Sequence, residues 1–160
     1  LTILKSLNLL KNKIIFHLIL LGQGQLKQKL FNYIISNNIS KYVKFIDFKE
    51  NPYPYIRKAD VFILSSKFEG LPNVLLEAAV LKKFIISSNC PTGPREILLN
   101  GKLGFLFPVG DFRALSKKIL LYYRQPKKNK KLINLAYKNL YRFDYDLNLK
   151  KYLKLIKSIT

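Results

Sequence analysis

The sequence predicts an α/β fold, a mostly parallel sheet with helices on its faces. Three observations carry this. Short apolar runs alternate with stretches whose apolar residues recur every three or four positions. The spacing between runs is that of strand–helix–strand units, and the runs close in turns bearing glycine, serine or proline. The chain has 160 residues, 49% of them hydrophobic, which is enough for one substantial core.

Leu1, Ile3, Leu4, Leu7 and Leu10 follow a helical period, so residues 1–12 read as a helix lying on the sheet. KIIFHLILL, residues 13–21, reads as a strand buried on both faces. It runs into Gly22-Gln23-Gly24. Residues 25–37 form the next helix, with Leu26, Leu30, Tyr33 and Ile34 on one side. Residues 42–48 are a second strand. Residues 51–58 hold two prolines and form a short helical turn, and 61–65 are a third strand. Pro72 or Asn73 opens a helix through about Leu81. Residues 84–88 are a fourth strand, followed by the loop CPTGPR and a short helix at 96–99. A turn and a short strand fill 101–107. Asp111 caps a helix through Tyr123, because its carboxylate can accept a hydrogen bond from a free amide of the first turn. Residues 127–160 are helical and basic. The division expected is an α/β unit at 1–126 and a C-terminal helical extension at 127–160 packed on it. A helix-first start is unusual for this architecture, whose opening strand is missing from the pattern.

The formal net charge is +20, which favours an anionic partner or reflects a drift in composition towards Lys, Asn, Ile and Tyr. The lysines are dispersed, and Tyr and Phe fall mainly at apolar-periodic positions, so a nucleic-acid partner is not expected. A lone cysteine, Cys90, excludes an intrachain disulfide and fits a reducing compartment. No apolar run approaches the ~20 residues that span a bilayer. No zinc-ligand spacing, Walker A motif or G-x-S-x-G elbow is present.

Ligands of parallel sheets bind beyond the carboxyl ends of the strands. Three segments follow strand ends: Gly22–Gly24, Ser65–Gly70 and Ser88–Gly93. They are expected to meet along one edge. The glycine pair reads either as room for a ligand or as a tight strand-to-helix turn. KFEGLPNVLLEAA, residues 67–79, places Glu69 in a loop and Glu77 near the start of the following helix. A carboxylate suits a sugar, since each oxygen accepts from one hydroxyl and the charge strengthens the bond. The same acids also fit a solvated loop and a helix surface near the positive end of its dipole. In PTGPRE, residues 91–96, Gly93 admits close approach, Thr92 offers a hydroxyl, and Arg95 faces a phosphate or solvent. His17 reads as a core or sheet-edge side chain.

SSKFEGLPNVLLEAA, residues 65–79, resembles the E-x7-E motif of family 4 retaining glycosyltransferases, enzymes with two Rossmann-like domains, the GT-B fold. YIRKADVFILSS, residues 55–66, SNCPTGPREILLNGKLGFLFPVGD, residues 88–111, and LLGQG, residues 20–24, resemble neighbouring segments of the same domain. The likeness covers about residues 1–145. It implies that the chain is the donor-binding half of such an enzyme, with a Rossmann-like sheet; the alternatives are a non-catalytic nucleotide-binding remnant of such an enzyme and, further off, a basic nucleic-acid-binding domain. It implies that Glu69 contacts the transferred sugar and is the catalytic-site acid, and that Glu77 holds the ribose. Gly70, Leu71, Pro72 and Asn73 would shape the pocket, with Gly22, Gly24, Thr92 and Gly93 beside the donor. No metal or other cofactor is expected, because basic groups and helix ends neutralise the leaving diphosphate. The donor would be a nucleotide sugar and the product a hexose or N-acetylhexosamine on a saccharide or lipid-linked acceptor. The location implied is cytoplasmic, peripheral on an anionic membrane face.

Two departures stand out. Leu81-Lys82-Lys83-Phe84 occupies the place of a G-x-P step. The family's first strand, its basic diphosphate clamp and the acceptor-binding N-terminal domain have no counterpart in these residues, so residues 1–160 alone are expected to be inactive.

Overall fold

The structure is a computed structural model that describes residues 1–159. Helices and strands alternate along most of the chain: α1 (Thr2–Asn8), β1 (Leu18–Leu21), α2 (Lys27–Ser36), β2 (Val43–Ile46), α3 (Tyr53–Lys58), β3 (Val61–Leu64), α4 (Asn73–Val80), β4 (Phe84–Ser88), α5 (Pro94–Ile97) and β5 (Phe105–Phe107). Three longer helices follow, α6 (Phe112–Arg124), α7 (Pro126–Lys138) and α8 (Tyr145–Lys157). Every strand pair is parallel. The expected α/β architecture is therefore present.

β4 is the centre of the fold, and all five of its residues are buried. Successive side chains point to opposite faces. Phe84 and Ile86 join Leu7 of α1, Leu10 just after it, and Leu115 and Ile119 of α6 in one core. Ile85 faces the other way, into Leu75 and Ala78 of α4, Ile97 of α5 with Leu98 at its end, and Ala136 of α7. Phe84–Ile86 read as an apolar run because helices cover both faces, and Ser87 and Ser88 complete the strand as buried polar residues. Phe84 meets Phe105 edge-on at 4.9 Å between ring centres. Gly104 lets β5 close up, since a Cβ there would sit 2.6 Å from the Ile85 carbonyl oxygen.

Asp111 caps α6, accepting from the Ala114 amide at 2.8 Å. α4 ends in a left-handed turn at Lys82, φ 53°. The Lys83 amide donates to Ala78 O at 2.9 Å there. Lysine thus adopts the backbone usually given to glycine, and its ammonium lies 4.7 Å from the Tyr137 ring centre.

The sheet differs from expectation in one respect. It is two sheets, β1–β2 and β3–β4–β5. β1 is also shorter than the apolar run that predicts it. Residues 13–17 pair with nothing: Ile14 is buried beside Leu10, whereas Ile15 is 86% exposed. Nor is β1 buried on both faces, since Ile19 is 43% exposed. With a partner on only one edge, the run has no ladder to extend it. His17 is exposed, just ahead of β1. In α2, Ile34 is buried with Leu30 and Tyr33 against it, but Leu26 is 65% exposed because it precedes the first turn.

Candidate functional site

The loops after β3 and β4 are joined by hydrogen bonds and close packing. The Ser88 hydroxyl donates to Ser66 O at 2.6 Å. The Thr92 hydroxyl donates to the Glu69 carbonyl oxygen. Gly93, with φ 68°, sits against Gly70 and Pro72 so closely that a Cβ there would overlap the Gly70 carbonyl oxygen and the Pro72 ring. Positive φ and lack of room both require glycine at this position. Gly93 thus meets protein and serves as the joint between the loops. The Asn89 amide donates to Phe107 O at 2.7 Å, tying the second loop to β5.

Pro72 is buried and precedes α4 in extended conformation, and no side chain caps that helix. Its first-turn amides therefore have no side-chain partner at that end. Asn73 and Glu77, four residues apart, share one face of α4. Glu69 and Glu77 are both half-buried, while Gly70, Leu71, Asn73 and Thr92 are exposed. No atom lies within 4 Å of the space beside Gly22, Gly24 or Gly70 where a side chain would begin. The site is an open rim.

The charges are unusual. Among the described residues the one ion pair is Lys27–Asp47, at 2.6 Å. Neither Glu69 nor Glu77 makes a side-chain hydrogen bond or ion pair there, in a chain with 29 Lys and Arg. Arg95 turns towards Asn89, donating from Nε to Oδ1 at 2.7 Å. Lys5 lies over the Phe112 ring at 5.6 Å from its centre. Two carboxylates with free acceptor oxygens at a rim of unblocked amides can take hydroxyls and phosphate oxygens together. Among the described residues no three His, Cys, Asp or Glu side chains gather where they could hold a metal ion.

Gly22, with φ 126°, closes β1 by donating to Ile46 O at 2.9 Å. Among the described residues no hydrogen bond joins this turn to the other two loops. The structure therefore knits together two of the three expected segments, and the third stands at the end of the separate β1–β2 sheet. Two supporting residues were not singled out in the sequence. Arg142 donates to Glu96 O at 3.1 Å and Ile97 O at 3.0 Å, clamping α5 from a segment 45 residues away. Asn89 holds Arg95. Neither carries a local sequence signal, because both bonds are made by tertiary packing.

The profile of the family described as "Glycosyl transferases group 1" matches residues 2–139. An N-acetyl-D-galactosaminyltransferase of Campylobacter jejuni, whose name gives an undecaprenol-diphosphate-linked saccharide as acceptor, is 32% identical over 144 residues, covering 90% of this chain and 40% of that protein. An uncharacterised glycosyltransferase of Methanocaldococcus jannaschii is 43% identical over 81 residues, 51% of this chain and 20% of its own length. This chain thus spans well under half the length of these relatives. Among solved structures, Anabaena HepE in complex with UDP superposes with a TM-score of 0.86 at 20% identity, over 98% of this chain and 44% of that one. A glycosyltransferase from Rickettsia africae superposes with 0.84 at 20% identity, over 99% of this chain and 43% of its own. These likenesses establish the fold as that of GT-B glycosyltransferases. On the extent of the family match, the chain belongs to the group 1 glycosyltransferases.

Proposed function

We propose that residues 1–160 form the donor-binding half of a retaining, family 4-type glycosyltransferase that uses a nucleotide sugar. One observation carries the reading: two half-buried carboxylates, Glu69 in the joined loops and Glu77 in the helix that follows, stand without a partner among the described residues of a strongly cationic chain. A cationic protein has many side chains to offer a structural acid. Carboxylates left open at a strand-end rim suit ligand hydroxyls.

In this reading Glu77 accepts from the ribose hydroxyls and Glu69 from the transferred sugar. The α4 amides, around Gly70–Asn73, receive the diphosphate as its charge grows during departure. No metal takes part. Thr92 orients the Glu69 backbone by its hydrogen bond and keeps lone pairs free for the donor. The acceptor is a lipid-linked or other saccharide, met at the cytoplasmic face of a membrane. The relative that extends an undecaprenol-linked saccharide supports this acceptor class.

The test is calorimetric titration with nucleoside diphosphates and their sugars. Saturable binding by the wild type is expected, weakened in Glu77→Gln by about 1.5–3 kcal/mol, the worth of a charged hydrogen bond. Equal affinities in two folded proteins would remove Glu77 from the site.

A further inference from the structure

The helix α5 is a single turn, four residues long, with Ile97 N donating to Gly93 O at 2.9 Å and Leu98 N to Pro94 O at 3.0 Å. A helix so short does not hold itself together, because its nucleus costs more order than its few bonds return. The chain leaves it through Leu99 at φ 46° and Asn100 at φ 54°. Leucine rarely adopts that backbone, and it persists there where surrounding contacts enforce it. Arg142 supplies such contacts. Its Nη1 and Nη2 donate to Glu96 O at 3.1 Å and Ile97 O at 3.0 Å, carbonyls at the end of α5. The guanidinium carbon lies 5.0 Å from the centre of the Phe143 ring, which packs with Leu140 against the core that holds Ile97 and Leu98. Arg142 is itself held. The Asn148 side chain, in the first turn of α8, donates to Arg142 O at 2.9 Å and Asp144 O at 2.7 Å.

We propose that Arg142 is a positioning residue for the donor site, fixing α5 so that Thr92 holds Glu69 in place for the transferred sugar. The proposal rests on the reading of Glu69 as the acceptor of that sugar's hydroxyls. The route is short and has no slack. Gly93 begins α5 in contact with Gly70 and Pro72, with no room even for a methyl group. Thr92, one residue earlier, donates to the Glu69 carbonyl oxygen. A shift of α5 therefore moves the loop that carries Glu69. The C-terminal segment, remote in sequence, thereby bears on the sugar subsite without touching the donor. Glu77 stands on α4, off this route, so the nucleotide subsite should not respond.

The test uses residues 1–160 and their variants. Arg142→Met keeps a stem over Phe143 and removes both donors. Arg142→Lys keeps the charge and can reach one carbonyl, and it carries the same comparison where Arg142→Met does not fold. Calorimetric titration uses a UDP-, GDP- or ADP-sugar, whichever the wild type binds, and the matching nucleoside diphosphate. Arg142→Met should weaken the nucleotide sugar by a factor of about five, as for residues coupled through shared contacts, and leave the diphosphate unchanged. Arg142→Lys should recover part of the loss. Joined to Thr92→Val, Arg142→Met should cost little more than the stronger single change, since both act through Glu69. Asp111→Ala, which loosens α6, should leave the ratio of the two affinities as it is. Without ligand, Arg142→Met should move amide shifts at Glu69–Gly70 as well as Thr92–Gly93. Equal weakening of both ligands, as loss of charge or of general stability would give, would overturn the proposal. So would additive losses in the double variant, or unmoved amides at Glu69 and Gly70. A wild type that bound no nucleotide sugar would instead overturn the reading of the site, and the ligand-free shifts alone would then decide whether Arg142 positions Glu69.

Discussion

Glu69 and Glu77 are eight positions apart and differ in what surrounds them: one sits in a loop, the other, also half-buried, on the face of α4 that it shares with Asn73. The separate roles proposed for them make a separable prediction. Glu69→Gln should weaken binding of a nucleotide sugar while leaving that of the nucleoside diphosphate unchanged, because only the sugar loses a charged acceptor. Titration with both ligands checks this, and equal weakening for both would place Glu69 against the nucleotide instead. Gly93 gives a second test. Gly93→Ala forces a methyl into the Gly70 carbonyl and the Pro72 ring and adds strain at positive φ. A loss of about 1–3 kcal/mol in unfolding free energy is expected for such strain. Urea denaturation that found the variant as stable as the wild type would show that the loops do not meet as described. The acids and the glycine were visible in the sequence as residue types. What was not visible is that Gly93 joins the loops, because that needs Gly70 and Pro72 brought to it from 21 or more positions away.

At the level of elements, the sequence was most informative where one strand or helix end decides its own structure. β4 spans the predicted residues 84–88 because its apolar start, Phe84–Ile86, is covered on both faces and its two serines are buried with it. Asp111 caps α6 because a carboxylate before a helix has a free amide to bind. Asp111→Ala should therefore cost about 1 kcal/mol, read from the shift in urea midpoint at constant slope. An unchanged midpoint would mean that α6 is held by its packing on α1 alone. β1 was overread, because periodicity cannot say whether a run has a neighbour on each side. α8 carries Lys150, Lys151, Lys154 and Lys157 among exposed Tyr152, Leu153, Leu155 and Ile156. No helix among the described residues is long and apolar enough to cross a membrane. A basic amphipathic helix of this kind is suited to lie on anionic lipid. Co-sedimentation with vesicles should be strong with anionic lipid at low salt and fall as salt rises. Equal sedimentation with neutral vesicles would count against it.

On the scale of the whole molecule, the loops after β3 and β4 carry the groups proposed to hold a donor, while an acceptor sugar would need further groups to hold it. Positioning two reactants can supply about 7–11 kcal/mol of a barrier. Residues 1–160 taken alone are accordingly expected to bind donor without transferring its sugar, and robust transfer by them alone would reveal an acceptor site built from these elements. The α/β class and two of the site loops were legible because they depend on local pattern. The split between β1 and β3 was not, since it depends on which edges find partners in space.

The central claim is that the rim formed by these loops is where a nucleotide sugar sits. NMR shift mapping with UDP-sugars and their counterparts of other bases tests it most directly, on the folded chain. The account predicts saturable shifts at Glu69–Asn73, Glu77 and Thr92–Gly93, with smaller ones at Gly22–Gly24, and none across α8. Saturable shifts confined to the C-terminal helices, or no shift for any donor at millimolar concentration, would contradict it.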